Sequence, residues 1–101
     1  MNTNHTPPIL DRISALGDET RTRILALLER SEFTVTELGS VLQVSQPTVS
    51  RHLKALANDR WVEARVDGRN RHYSLATVLE DPARALWTIV REEIGDGSIY
   101  S

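Results

Sequence analysis

The segment from Ser45 to Asn58 combines side chains suited to hydrogen bonding with nucleic acid and contains no acidic residue. At 100° per residue, Val49, Leu53 and Leu56 fall within about 60° of one another, which predicts a helix with one buried face. The opposite face carries Pro47, Ser50, Arg51, Lys54 and Asn58. Hydroxyl, amide and basic side chains can bond the edges of bases and the phosphates beside them. An ordinary surface helix in a chain with 14 acidic residues would usually carry one or two of them, so their absence from this segment favours a functional role.

The charge of the whole chain disfavours nucleic-acid binding, because the net charge is −2 and such domains are usually basic. The charge is unevenly distributed, however. Between Ser45 and Tyr73 there are six basic residues and three acidic ones, whereas the remainder has six and eleven. This clustering predicts a local positive field around the segment.

Apolar residues at helical spacing predict two helices in the first third of the chain. The first has Ile9, Leu10, Ile13 and Leu16 on one face and is ended by Gly17. Asp18 is a suitable N-cap for the second, whose buried face holds Ile24, Leu25, Leu27 and Leu28. Residues 32–35 form a short connection, with a few residues of strand as the alternative.

A third helix carries Leu38, Val41 and Leu42, but its first residue is ambiguous. Thr34 and Glu37 fit a capping box, and Thr36 is the alternative cap. The two residues 43 and 44 leave room only for a tight turn. Ser45 then caps the next helix, whose first turn tolerates Pro47.

After Trp61 the spacing of apolar residues changes from that of a helix to that of a β-strand, and the pattern predicts a β-hairpin. Val62, Ala64 and Val66 alternate with polar residues, Asp67-Gly68 is a turn signal, and the alternation resumes through Tyr73 and Leu75. A final helix begins at Asp81-Pro82 and is closed by Gly95. The predicted order is α-α-α-α-β-β-α, a mainly α fold with a small β-hairpin, which is typical of a winged helix-turn-helix.

Four segments resemble the ArsR/SmtB family of bacterial repressors. They are residues 16–28 (LGDETRTRILALL), 37–38 (EL), 44–56 (VSQPTVSRHLKAL) and 65–75 (RVDGRNRHYSL), and the resemblance covers about residues 10–78. It implies a sequence-specific DNA-binding regulator that represses transcription from an inverted-repeat operator until an effector binds. It also implies a homodimer that places helix 45–58 in the major groove and hairpin 62–75 on the backbone or minor groove.

The resemblance assigns roles to single residues. The family's base-reading positions fall on Gln46, Pro47, Ser50 and Arg51. Gln46 suits an adenine edge, Arg51 suits a guanine edge or a phosphate, and Pro47 offers only apolar contact. Phosphate contacts are expected from Ser45, Thr48, Lys54, Arg65, Arg69 and Arg71.

The last helix has an apolar stripe wider than one small core needs, which favours dimerisation. Together with the first helix, it predicts an interface made of Ile9, Leu10, Ile13, Leu86, Trp87, Val90 and Ile94.

Five other residues are expected to have mainly structural roles. We expect Arg21 and Arg23 to contact either phosphate or the acids at 18, 19 and 29, and His52 to be a hydrogen-bonded structural histidine. Trp61 and Tyr73 are expected at the root of the hairpin.

The sequence disfavours a soft-metal site and provides no support for a cofactor or catalysis. For the acids of the last helix, Asp81, Glu92 and Glu93, we expect a solvated face, with a metal site made of carboxylates alone as the alternative. Cysteine is absent, and Gly39 and Val41 stand where some relatives place thiolates in the third helix. The last helix has no histidine, and no nucleophile with a partnered base can be placed. We therefore expect no enzyme activity, and the effector is unknown. No secretory signal or apolar run of about 20 residues is present, so the expected location is the cytoplasm.

The predicted boundaries are a lead-in of residues 1–8, one domain of residues 9–95 and a tail of residues 96–101. One alternative concerns residues 80–94, which resemble the last helix of family members fused to a methyltransferase that uses S-adenosylmethionine. In that case the chain is a DNA-binding or protein-docking N-terminal module of a larger protein.

Overall fold

A computed structural model describes residues 8–77, 79 and 81–94, which form five helices and one two-stranded antiparallel hairpin. The elements in chain order are α1 (Pro8–Ala15), α2 (Glu19–Arg30), α3 (Val35–Leu42), α4 (Gln46–Asn58), β1 (Val62–Asp67), β2 (Asn70–Leu75) and α5 (Asp81–Ile94). The predicted order and the mainly helical fold are confirmed. The predicted lead-in apart from Pro8, the predicted tail and the helix end at Gly95 lie outside the described residues.

Side-chain caps determine where the second and third helices begin. The Asp18 carboxylate accepts a hydrogen bond from the Arg21 amide at 3.1 Å, as the sequence predicts. In α3, the Thr34 hydroxyl accepts from the Glu37 amide at 3.2 Å and Glu37 Oε1 accepts from the Thr34 amide at 2.8 Å. This reciprocal pair is a complete capping box, so Thr34 and not Thr36 caps the helix.

The hairpin pairs β1 with β2 in a register that runs from Val62 opposite Leu75 to Asp67 opposite Asn70. Gly68 begins the two-residue loop with φ of +64°, a left-handed conformation that favours glycine. The connection before α3 is a single bridge rather than a strand. Phe33 and Tyr73 exchange two backbone hydrogen bonds, at 3.0 and 2.8 Å, which attach this connection to β2.

One hydrophobic core joins the helices to the root of the hairpin. Its fully buried large side chains are Ile24, Leu25, Leu38, Val49, Leu53, Leu56 and Trp61. Each such aliphatic side chain contributes roughly 1.5–3 kcal/mol by leaving water. Trp61 accepts a hydrogen bond through its carbonyl from the Ala76 amide at 3.0 Å, and half-buried Tyr73 packs against the core. The predicted places of Trp61 and Tyr73 are therefore confirmed.

Helix α5 is attached to this core by buried Ala83 and Trp87 and to α2 by an ion pair between Arg91 and Glu29. It also contacts α1. None of the helices in the described part of the chain is long and apolar enough to cross a membrane.

Candidate nucleic-acid interface

Helices α3 and α4 approach each other closely at the turn that joins them. A Cβ atom at Gly39 would lie 2.9 Å from the carbonyl oxygen of Val44, so any larger residue would force this backbone apart. The Val44 amide donates to the Gly39 carbonyl at 3.1 Å, and Gln43 takes the left-handed conformation with φ of 58°. Sequence reasoning did not identify this role of Gly39. The only available signal was a glycine inside a short helix.

The start of α4 points toward solvent. The Ser45 hydroxyl accepts a hydrogen bond from the Thr48 amide at 3.4 Å and donates one to Thr48 Oγ1 at 2.9 Å. Ser45, Gln46 and Pro47 are exposed, and Thr48 is half-buried. Because a helix N-terminus carries partial positive charge, this end of α4 suits a phosphate group.

The two faces of α4 differ as the sequence predicts. Its buried residues are Val49, His52, Leu53 and Leu56. Its exposed residues are Gln46, Pro47, Ser50, Arg51, Lys54, Ala57 and Asn58. The structure thus brings the four expected base-reading residues and Lys54 onto one exposed, acid-free face.

His52 is buried on the other face of α4, with 8% of its surface exposed. Its Nδ1 accepts a hydrogen bond from Arg21 Nε at 3.1 Å, and Arg21 Nη1 donates to the Ala15 carbonyl at 3.3 Å. Burial lowers the pKa of His52, the nearby Asp18 carboxylate opposes this shift, and the Arg21 and Arg51 charges add to it. The prediction of a structural histidine is confirmed.

Two expectations for the arginines of α2 have different outcomes. Arg23 Nε lies 3.7 Å from the Glu19 carboxylate, one of the expected partners. Arg21 instead binds His52 and the end of α1, a pairing that the sequence did not suggest.

A second arginine reaches the C-terminal end of α4 from α1. Arg12 is 6% exposed, and its Nε donates to the backbone carbonyl of Asp59 at 3.3 Å. Burial raises the pKa of the Asp59 carboxyl, and the nearby Asp11 charge adds to this shift. Sequence reasoning did not single out Arg12, because a single basic residue in an amphipathic helix usually faces solvent.

The three hairpin arginines expected at phosphates have different surroundings. Arg65 makes a bidentate ion pair with Glu32, whereas Arg69 in the loop and Arg71 on β2 are exposed. The hydrogen bond from Arg65 lowers the pKa of Glu32, and the same bond raises the pKa of Arg65. The Arg65 guanidinium therefore holds the hairpin against the loop that follows α2.

The apolar residues expected at a dimer interface lie on α1 and α5. Leu10, Ile13 and Ile94 are 52%, 47% and 39% exposed. Ile9, Leu86 and Val90 are half-buried. The structure corrects one member of the predicted set, because Trp87 is 2% exposed and packs in the core of its own chain. We therefore remove Trp87 from the predicted interface.

Within the described ranges, no group of three or more histidine, aspartate or glutamate side chains is close enough to hold a metal ion.

The tight α3–α4 turn, the exposed face of α4 and the hairpin that follows it define the chain as a winged helix-turn-helix domain. Residues 18–64 match the family described as bacterial regulatory protein, arsR family. The transcriptional repressor SdpR of Bacillus subtilis is 34% identical over 68 residues, which are 66% of this chain and 76% of that protein. The chain belongs to the arsR family.

Two further similarities support this assignment. A transcriptional repressor SmtB homologue of Synechocystis is 37% identical over 76 residues, 75% of this chain and 58% of that protein. The chain thus spans little more than half the length of that relative. The homodimeric winged helix-turn-helix DNA-binding domain of Mb0332 from Mycobacterium bovis superposes with a TM-score of 0.71 at 28% identity. That similarity covers 82% of this chain and 74% of the solved one.

Proposed function

We propose that the protein is a sequence-specific DNA-binding repressor of transcription that acts as a homodimer. The exposed, acid-free face of α4 is the observation that carries this proposal. A helix of this kind, following a tight turn and preceding a hairpin, fits the major groove of DNA.

The residues of α4 divide into two groups by their chemistry. Gln46, Ser50 and Arg51 carry donors and acceptors that can read base edges, and Pro47 supplies apolar contact between them. Ser45, Thr48 and Lys54 lie where phosphate contacts would fix the register of the helix on DNA.

The hairpin supplies the remaining phosphate contacts through exposed Arg69 and Arg71. Arg65 acts indirectly, because its guanidinium is bound to Glu32 and holds the hairpin in place.

Dimerisation is supported by exposed Leu10, Ile13 and Ile94 on two helices that contact each other. The solved domain of Mb0332, a homodimer, has the same fold. Two copies related by a twofold axis would recognise an inverted repeat. As a regulator that acts on bacterial DNA, the protein would work in the cytoplasm and catalyse no reaction.

Selection of bound duplexes from a random pool tests the proposal. We expect an inverted repeat to be enriched and its binding to weaken steeply with salt, because each neutralised phosphate releases counterions. Arg51→Glu should abolish this binding, and Arg84→Glu, the same change at an exposed site on α5, should preserve it. Wild-type protein that retards no duplex at low salt would instead indicate a protein-docking module.

A further inference from the structure

Two arginines connect α4 to α1 at separate points along its length. Arg12 of α1 donates to the Asp59 carbonyl at the C-terminal end of α4, with 3.3 Å between Nε and the oxygen. Arg21 bridges the carbonyl of Ala15, the last residue of α1, and Nδ1 of His52, at 3.3 and 3.1 Å. His52 and Asp59 are seven positions apart, which corresponds to about 10 Å along the helix axis.

Two attachment points restrict a helix more than one does. The core already holds the apolar face of α4 through fully buried Val49, Leu53 and Leu56, and the two hydrogen bonds add attachment points about 10 Å apart. A tilt of α4 relative to α1 must therefore stretch at least one of these two bonds. The guanidinium group suits this task because it stays charged at any ordinary pH and presents its donors in a rigid planar arrangement. Arg12 is buried and Arg21 is half-buried, and a charged side chain removed from water adds little net stability compared with an apolar one of similar size. We therefore expect the effect of the two arginines to appear in the geometry of α4.

We infer that Arg12 and Arg21 are positioning residues that fix the tilt of α4 relative to α1 and so set the distance between the two α4 helices of a dimer. This inference rests on the homodimer of the proposed function, in which α1 contributes to the interface. The distance between the two helices determines which half-site spacing the dimer can bind.

Distance measurements between spin labels in the DNA-free homodimer test the inference. The chain contains no cysteine, so Ser50→Cys and Ala57→Cys each give one labelling site per protomer, both exposed on α4. Ser50 lies about 13 Å from the Asp59 attachment, and Ala57 about 7 Å from the His52 attachment. A tilt of about 20°, the usual scatter of helix packing, would displace these labels by about 4–5 and 2–3 Å.

Each arginine has its own expected signature. Arg21→Met removes the His52 attachment and should broaden the distance distribution at label 50 more than at label 57. Arg12→Met removes the Asp59 attachment and should broaden label 57 more than label 50. Methionine keeps much of the apolar stem in both variants. Arg23→Met is the matched control on α2, because Arg23 Nε lies near Glu19 of its own helix, and it should change neither distribution.

The outcomes separate the inference from the proposed function. Broadening at the expected label, in dimers whose circular dichroism and mass match the wild type, supports the inference. Unchanged distributions, or equal broadening at both labels, overturn it and leave the proposed function intact. A wild-type sample without an interprotomer dipolar signal contradicts the homodimer and overturns both. If Arg12→Met does not fold, half-buried Arg21 still provides the test with both labels.

Discussion

Arg65 on β1 binds the Glu32 carboxylate after α2 through two hydrogen bonds, Nε to Oε2 at 3.3 Å and Nη2 to Oε1 at 2.8 Å. Bidentate geometry makes this arrangement more specific than an ordinary surface ion pair. The Arg65 guanidinium is therefore already engaged in the free chain, and we propose that phosphate contact from the hairpin comes mainly from Arg69 and Arg71.

Replacement of Glu32 should therefore change how the hairpin binds DNA. In Glu32→Gln one negative charge is lost and the Arg65 guanidinium becomes available to phosphate. We expect tighter binding to random duplexes and a salt dependence steeper by about one phosphate, measured by fluorescence anisotropy across a salt series. Glu93→Gln makes the same charge change on the exposed end of α5. Equal effects from the two variants would show that only net charge matters.

Arg51 and Arg69 should differ in the kind of affinity they provide. Because Arg51 lies on the exposed face of α4, Arg51→Ala should weaken binding to the selected operator by about 1–3 kcal/mol and relax its sequence preference. Arg69→Ala, in the hairpin loop, should weaken all duplexes alike and lower the salt slope by about one. Competition of operator against random DNA distinguishes the two. Equal losses on both duplexes for Arg51→Ala would contradict its role as a reader.

The capping box of α3 gives a test that involves no DNA. Thr34→Ala removes the acceptor of the Glu37 amide and should lower the free energy of unfolding by about 1 kcal/mol. Thr36→Ala, at the exposed alternative cap, should change it by less than about 0.5 kcal/mol. Urea denaturation followed by circular dichroism measures both. A larger loss for Thr36→Ala would mean that α3 begins later in solution.

Local signals in the sequence were sufficient for most of the fold. Asp18 and Ser45 cap their helices because their side chains reach an amide three residues ahead, and that spacing is visible in the sequence. The alternation from Val62 to Val66 is also a local signal. It predicts a strand because successive side chains of a strand point to opposite faces. The face of α4 also follows from periodicity alone.

Contacts between distant residues could not be predicted in this way. Arg12 and Asp59 are 47 positions apart, and Arg21 and His52 are 31 apart, so their pairing depends on how the helices pack. Trp87 shows the same limit. Its spacing on α5 fits either an interface or a core, and only the packed chain shows that it belongs to the core.

The histidine of α4 predicts a loss of stability in acid. Because burial lowers the pKa of His52 below its ordinary value of 6.5, the unfolded chain takes up a proton more readily than the folded one. The contribution of His52 to the free energy of unfolding is therefore fully present above about pH 6.5. It is lost as the pH falls from there through the lower pKa of the folded state. The groups that act on it are Asp18, Arg21 and Arg51.

Thermal melts between pH 7.5 and 5 measure this effect. We expect the wild-type melting temperature to fall with pH and His52→Gln, which keeps a hydrogen-bond acceptor, to show a smaller fall. His72→Gln, a change on β2, should retain the wild-type dependence. If His52→Gln were as sensitive to pH as the wild type, other groups would be responsible.

A charge at Ile13 should separate the protomers without unfolding them. Ile13 is 47% exposed on α1, so a lysine there can keep its ammonium group in water in the monomer. In the proposed dimer the same charge would be buried without a partner, which costs several kcal/mol. We therefore expect Ile13→Lys to be monomeric by sedimentation, with a helical circular dichroism spectrum, and to lose cooperative binding to the inverted repeat.

Val41→Lys, the same kind of change at an exposed valine on α3, should remain dimeric because its helix is outside the proposed interface. A dimeric Ile13→Lys would place the contact between protomers elsewhere on the domain.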